Sequence, residues 1–296
     1  MSKKQRFLMV DILLIVMMIA PLLLGILLKV LTAPPSDGIR ISGALIYTTI
    51  SLPLGGLPIT ESQVNSLLVI LSVLGLCLYL THGIQEKAET TRQHIAEWIV
   101  EKVEGLVHEN MGAYFSGFAP FIAAILALSA FSSLLSLLGL YPPTSDLNIV
   151  AGWAILVFVL ITYYKNKCGP LTYMKSFTQP VALLLPINII SEVATPISMA
   201  FRHYGNVLSG TVISVLVAAG LQGLSSLLLG WLPGVMGEFP LFQIGIPAIL
   251  SVYFDIFSGC LQAFIFAMLT MMYVSGGFPA EEYEKKKLVK RKNRQG

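Results

Sequence analysis

The chain has 296 residues, of which 55% are hydrophobic and 12% charged, with a formal net charge of +3. Soluble domains carry about 25% charged residues, so this composition excludes a water-soluble globular protein. Apolar runs well beyond ten residues favour helices over the short alternating strands of a barrel. The expected fold class is an all-α polytopic membrane protein. It has about six membrane helices, including a long tilted C-terminal hairpin, plus one interfacial amphipathic helix.

Phe7–Leu31 is the first span, with Asp11 near one end. A cleaved signal peptide is the rival, but its apolar core is usually only about 7–15 residues long, so a retained helix is favoured. Thr32–Gln63 is rich in Pro, Gly, Ser and Thr and reads as an outer loop. Val64–Ile84 is the second span. In Thr91–Asn110, Ile95, Trp98, Ile99, Val103 and Leu106 recur at three- and four-residue steps opposite a charged face. That pattern fits a helix lying along the membrane surface, and equally a helix docked on another protein. Ala113–Leu140 is the third span, closed by a turn at Tyr141–Asn148 that contains two prolines. Ile149–Tyr164 is the fourth, with Tyr163 and Tyr164 at interfacial depth.

Gln179–Leu229 would run about 76 Å as one helix, against a hydrocarbon core of about 30 Å. Two spans with a turn near Arg202 would give seven in all. That would leave the basic tail on the outside, against the charge rule. One long tilted element, bent at Pro186 or Pro196, gives six and is the reading adopted. Gly230–Gln243 is an outer loop, and Ile244–Val274 returns as the last span.

Lys3, Lys4 and Arg6 precede the first span, Lys87, Arg92 and Lys102 follow the second, and Lys165, Lys167 and Lys175 follow the fourth. Seven more basic residues close the chain from Lys285 to Arg294. The positive-inside rule then puts both termini in the cytoplasm of a cell that carries the chain, multi-pass, in its plasma membrane. The chain divides into residues 1–63 (first helix and outer loop), 64–280 (the main membrane unit) and 281–296 (a basic cytoplasmic tail). Cys77, Cys168 and Cys260 are scattered, without the spacing of a metal site. No Gly-rich phosphate loop appears. Leu208-Ser209-Gly210 lacks a following histidine to act as base. The expectation is a non-catalytic chain with no cofactor, no metal and no nucleic-acid partner.

Charge is rare within the spans, so each charged group there needs a reason. No charged residue occurs from Val193 to Phe201 or from Tyr204 to Gly237, yet Arg202 lies between. An arginine at the centre of a membrane helix costs about 2.5–3.5 kcal/mol by insertion scales. At about 100° per residue, Thr195, Ser198, Arg202, Asn206 and Ser209 share one face, with Glu192 somewhat off it. Ser251, Asp255, Ser258, Gly259 and Gln262 form a second stripe on the last helix. These stripes fit an ion path. The alternatives are a buried Arg202–Asp255 ion pair, and, for the serines, close helix packing.

MAFRHYGNVLSG, with NIISEVATPIS before it, resembles the subunit a family of the rotary ATP synthase. Pro143–Asn148 resembles that family's P-[ST]-x-D-x-N turn, and Leu261–Phe266 its LQAFIF-type signature. The amphipathic segment occupies the family's interfacial-helix position. The resemblance spans about residues 55–276 and leaves the first helix without an assigned function. It implies that Arg202 is the essential arginine, with Asn206 one turn later and Gln262 on the last helix. Asp255 stands where members carry Glu or His, and Glu192 matches an acid of the inner access path. Thr211 stands where some members have a glutamate. Ser198, Ser209, Ser251, Ser258 and Asn148 are further candidates for channel lining.

The implied function is a stator ion channel, carrying protons or sodium through two offset half-channels to a rotating ring of proteolipid c subunits. The implied partners are that ring, the peripheral-stalk b subunits, the catalytic sector reached through the stalk, and the lipid bilayer. A secondary transporter using Arg202 to bind an anionic substrate is the alternative.

Overall fold

The structure is a computed structural model that describes residues 3–32, 43–52, 55–86, 90–178, 181–231, 241–243, 245–278 and 283. Helix α1 (Lys3–Thr32) is followed by an antiparallel hairpin of β1 (Ile46–Leu52) and β2 (Gly55–Thr60). Then come α2 (Glu61–Thr81), α3 (Thr91–Met111), α4 (Ala119–Leu134), α5 (Leu147–Lys165) and the short α6 (Pro170–Ser176). The chain closes with α7 (Leu185–Leu229), α8 (Ile246–Ser251) and α9 (Gly259–Gly276), the last two joined by a π-helical turn at Val252–Ser258. Short 3-10 segments flank α4 on both sides. Among the described residues, six helical stretches are long and apolar enough to cross a membrane, as the run lengths require.

Residues 185–229 form a single helix of 45 residues rather than two spans with a turn at Arg202. Pro186 sits in its first turn, where the missing N–H costs nothing, and Pro196 is accommodated inside the helix. At about 66 Å it exceeds the hydrocarbon thickness and must lie oblique to cross it. The surface helix at Thr91–Met111 also forms as the sequence predicts.

Two features depart from the sequence expectations. The segment Thr32–Gln63 is not all loop, because Ile46, Thr48 and Ile50 alternate and pair across to β2. Helix α2 starts at Glu61, inside that segment, behind a capping box of Thr60 and Gln63. The short helix α6 was not expected either; Pro170 at its first turn starts it. The basic tail 281–296 lies outside the described residues except for Tyr283, and so does 232–240 of the second outer loop.

Helix α7 packs chiefly on α5 and more sparingly on α9 and the π-helical turn, while α9 packs on α4. Val107, Phe115, Ile122, Val157, Phe266 and Met271 form one apolar cluster across α3, α4, α5 and α9. Close helix approaches are set by glycines. A Cβ on Gly259 would meet Ser133 Cβ at 2.8 Å, and one on Gly210 would meet the Phe254 ring at 3.0 Å. The first fixes α9 on α4, and the second fixes the π-helical turn on α7. Helix α1 lies along α2, where a Cβ on Gly75 would meet the Met18 backbone nitrogen at 2.8 Å.

Candidate functional site

Helices α7 and α9 run antiparallel. Gly210 faces Phe254, Asn206 faces Gln262, and Thr195 shares a cavity wall with Met272. The polar side chains therefore fall into three levels along the α7 axis.

The middle level holds Arg202. Its side chain is exposed, and among the described residues it makes no hydrogen bond or ion pair. Phe201, Ile197 and Val193, on the flank of α7 turned away from it, are each about half exposed and apolar. One turn on, Asn206 Nδ2 donates to Gln262 Oε1 at 2.7 Å, and Gln262 is 2% exposed. Ser198 and Ser209 are exposed on the Arg202 side of α7, as the helical spacing requires. His203, to which the sequence reading gave no role, turns inward. It is fully buried between Trp153 and Phe266, with Nε2 3.4 Å from the Ser129 hydroxyl.

The second level, at the C-terminal end of α5, holds Glu192. Its Oε2 accepts from Lys165 Nζ at 2.5 Å, and its Oε1 accepts from the Tyr173 hydroxyl at 3.4 Å. Burial, with the Glu192 carboxylate beside it, pushes the Tyr173 phenol above its usual range, so it remains a donor. Ten residues separate Glu192 from Arg202, about 15 Å of helix.

The third level is at the opposite end of α5. Asp255 is half-buried on the π-helical turn, with the hydroxyls of Ser136 and Ser251 against its carboxyl. Asp255 makes no ion pair with Arg202, so the buried-pair alternative fails in this structure. The extra residue in the π-helical turn breaks the simple 100° stripe, and π-turns recur at functional sites. Ser258 and Ser251 are half-buried there. Beyond them, Asp146 caps α5 by accepting from the Asn148 backbone N–H at 3.0 Å, while Asn148 is itself exposed. The Ser62 hydroxyl also donates to Asp146, and Asn65 donates to the Tyr141 carbonyl at 2.9 Å. Glu61 is 3% exposed, with Oε1 lacking a partner among the described residues. Burial and the Asp146 carboxylate push the Tyr141 phenol up.

The structure thus unites Asn206 with Gln262 and keeps Glu192, Arg202 and Asp255 apart at three depths. Sequence reasoning missed Lys165, Tyr173, Ser136 and Glu61. In the sequence the lysine reads only as interfacial charge, and Glu61 lies inside a segment that reads as loop. Among the described residues no group of three or more His, Cys, Asp or Glu could hold a metal.

Comparisons with known proteins identify the family. The family model described as ATP synthase A chain matches residues 64–275. The chain is 27% identical over 233 residues to ATP synthase subunit a of Legionella pneumophila strain Philadelphia 1, covering 77% of this chain and 91% of that one. It is 34% identical over 233 residues to ATP synthase subunit a of Priestia megaterium, covering 74% and 93%. A third relative, ATP synthase subunit a of Bacillus pumilus, is 31% identical over 235 residues, covering 74% and 93%. The matched span holds all three polar levels apart from Glu61 and Ser62, and α1 and the β-hairpin precede it. On this match, the chain belongs to the ATP synthase A chain family, as a multi-pass membrane subunit of that complex.

Proposed function

We propose that this chain is the stator half of an ion channel that drives a rotating ring of c subunits. The observation that carries the reading is the Arg202 guanidinium, exposed on α7 with no hydrogen bond or ion pair among the described residues and with only neutral polar groups, Ser198, Asn206 and Ser209, on its face. A permanent charge there has no internal partner among the described residues and calls for an external one. A ring of membrane carboxylates passing that face supplies it. A carboxylate facing lipid is held protonated by desolvation. A guanidinium at about 4 Å, in an effective dielectric near 20, favours its ionised form by about 4 kcal/mol, roughly three decades of protonation equilibrium. Passing Arg202 therefore unloads a ring site, and leaving it lets the site reload. Arginine suits the task because it stays charged and does not relay the proton.

The three levels support a reading with two half-channels. Asp255, Gln262 and Asn206 line the outer half, with Asp255 as relay. Glu192 borders the inner half. Ser198, Ser209, Ser251, Ser258 and Asn148 are candidates to wet these paths. The b subunits and the catalytic sector complete the assembly, and both termini face the cytoplasm. No bond chemistry takes place in this chain.

The test is ATP synthesis driven by an ion gradient in liposomes carrying the intact complex. Arg202→Ala should abolish it while the complex still assembles. Coupled synthesis at normal rate in Arg202→Ala would overturn the reading. Uptake of an anionic substrate by the isolated chain would favour a transporter instead.

A further inference from the structure

Glu192 has both carboxylate oxygens engaged, Oε2 by Lys165 and Oε1 by Tyr173. The Lys165 stem is held from behind. A Cβ on Gly277, just past α9, would meet Lys165 Cε at 2.8 Å and Cγ at 2.9 Å. The lysine is thus threaded between the end of α9 and Glu192, with its side chain one-quarter exposed and that of Glu192 at 12%. Both line a cavity of about 190 Å³ between α5, α7 and α9, whose wall also carries Ile161, Thr195 and Tyr273. Glu192 is the one carboxylate among the described residues lining it.

We infer that Lys165 is a specificity-determining residue of the inner access path: a tethered cation that neutralises Glu192, so that the path admits protons and rejects metal cations. This rests on the stator reading above, and it adds an ion preference that the reading leaves open. Hard metal cations need several oxygen ligands, usually with carboxylate among them. Here a metal ion would have to displace an ammonium that is covalently tethered and already in contact. The same ammonium repels a second cation arriving in the cavity. A proton needs no coordination shell. It can pass along water and hydroxyl groups such as Thr195 without vacating the ion pair. Lysine is apt because its compact, strongly hydrated charge sits on a stem long enough to reach across the cavity mouth.

The experiment is ATP-driven ion pumping by the intact complex in liposomes, with sodium varied on the side that carries the catalytic sector. Each variant is normalised to its own sodium-free rate. Wild type should be indifferent to sodium. Lys165→Met should become sodium-inhibited, with apparent affinity for sodium raised roughly tenfold or more, as expected for losing a unit charge at contact distance in a partly screened setting. Lys165→Arg should stay indifferent, and Lys165→Met combined with Glu192→Gln should lose the acquired inhibition. Sodium indifference in a pumping Lys165→Met complex overturns the inference, as does sodium transport by wild type. If Lys165→Met fails to assemble, Lys165→Gln carries the same expectation. If neither neutral variant assembles while Lys165→Arg does, the lysine is a structural brace and the inference falls. Normal coupling in Arg202→Ala would instead sink the stator reading, which separates the two failures.

Discussion

Asn206 of α7 and Gln262 of α9 are 56 residues apart and share a 2.7 Å hydrogen bond one turn from Arg202. Gln262 is almost fully buried, so this bond is the contact that fixes the depth of α9 against the arginine face. A buried amide left without its partner costs about 1–3 kcal/mol, whereas removing both partners is close to neutral.

The pair therefore predicts non-additivity. Asn206→Leu and Gln262→Leu should each lower the thermal stability of the solubilised complex. The double variant should recover most of that loss, with a coupling of about 1–2 kcal/mol. Ion pumping should remain impaired in all three, because the amides also line the proposed outer path. Recovery of full pumping in the double variant would show that the pair only holds the helices together.

Arg202 predicts the opposite separation. It makes no internal hydrogen bond or ion pair among the described residues, so Arg202→Lys should leave stability within about 0.5 kcal/mol. Coupled ATP synthesis should nonetheless fall severely, since an ammonium lacks the planar fork and shifts its protonation when desolvated. Gradient-driven synthesis and a melting curve on the same preparation check both halves. Normal synthesis with lysine would remove the special role of the guanidinium.

The run lengths and basic clusters made six spans legible, and the same charge balance favoured one long α7 over two spans. The stripe of Arg202, Asn206 and Ser209 was legible because a straight α-helix carries its period in the sequence. The π-helical turn at Val252–Ser258 was not, since no residue type there demands an extra residue per turn. Its consequence is that Asp255 meets Ser136, on the segment after α4, a contact spanning 119 positions (255 − 136). The Lys165–Glu192 pair escaped for a similar reason. Each residue was visible alone, one as interfacial charge and one as a membrane acid, but only the packing of α5 on α7 brings them together. The β-hairpin was hidden because its alternating Ile and Thr residues sit in a Pro- and Gly-rich run that reads as loop.

Asp255 predicts a kinetic defect rather than an assembly defect. Asp255→Asn keeps a carbonyl that can accept from the Ser136 and Ser251 hydroxyls, so the segment after α4 should stay seated on the π-helical turn. A relay that cannot exchange its proton should slow pumping severalfold at unchanged complex yield. Passive ion conductance through the membrane sector, compared with the yield of purified complex, checks it. Parallel loss of both would assign Asp255 a structural role.

Helix α1 precedes the family match, and its N-terminal end is tied to the core at one point. Asp11 Oδ1 lies 2.9 Å from both Arg92 Nη1 and His82 Nδ1, and the Phe7 ring stacks on His82 at 4.4 Å. The three ionisable side chains are 17–25% exposed, so solvent screens the attraction only in part. Further along, the Ser72 hydroxyl donates to the Met18 carbonyl at 2.7 Å beside the Gly75 contact. Asp11→Ala should thus loosen only the first three turns of α1, by roughly 1 kcal/mol. Amide exchange around residue 11 should speed up about fivefold, while exchange near Met18 stays unchanged. Gly75→Val should do the reverse, forcing the two backbones apart along the middle of α1 at a cost of about 1–3 kcal/mol. Ion coupling should persist in Asp11→Ala, because Asp11, His82 and Arg92 lie outside the three polar levels around α7. Loss of coupling there would mean that α1 is part of the working channel and not an accessory braced against it.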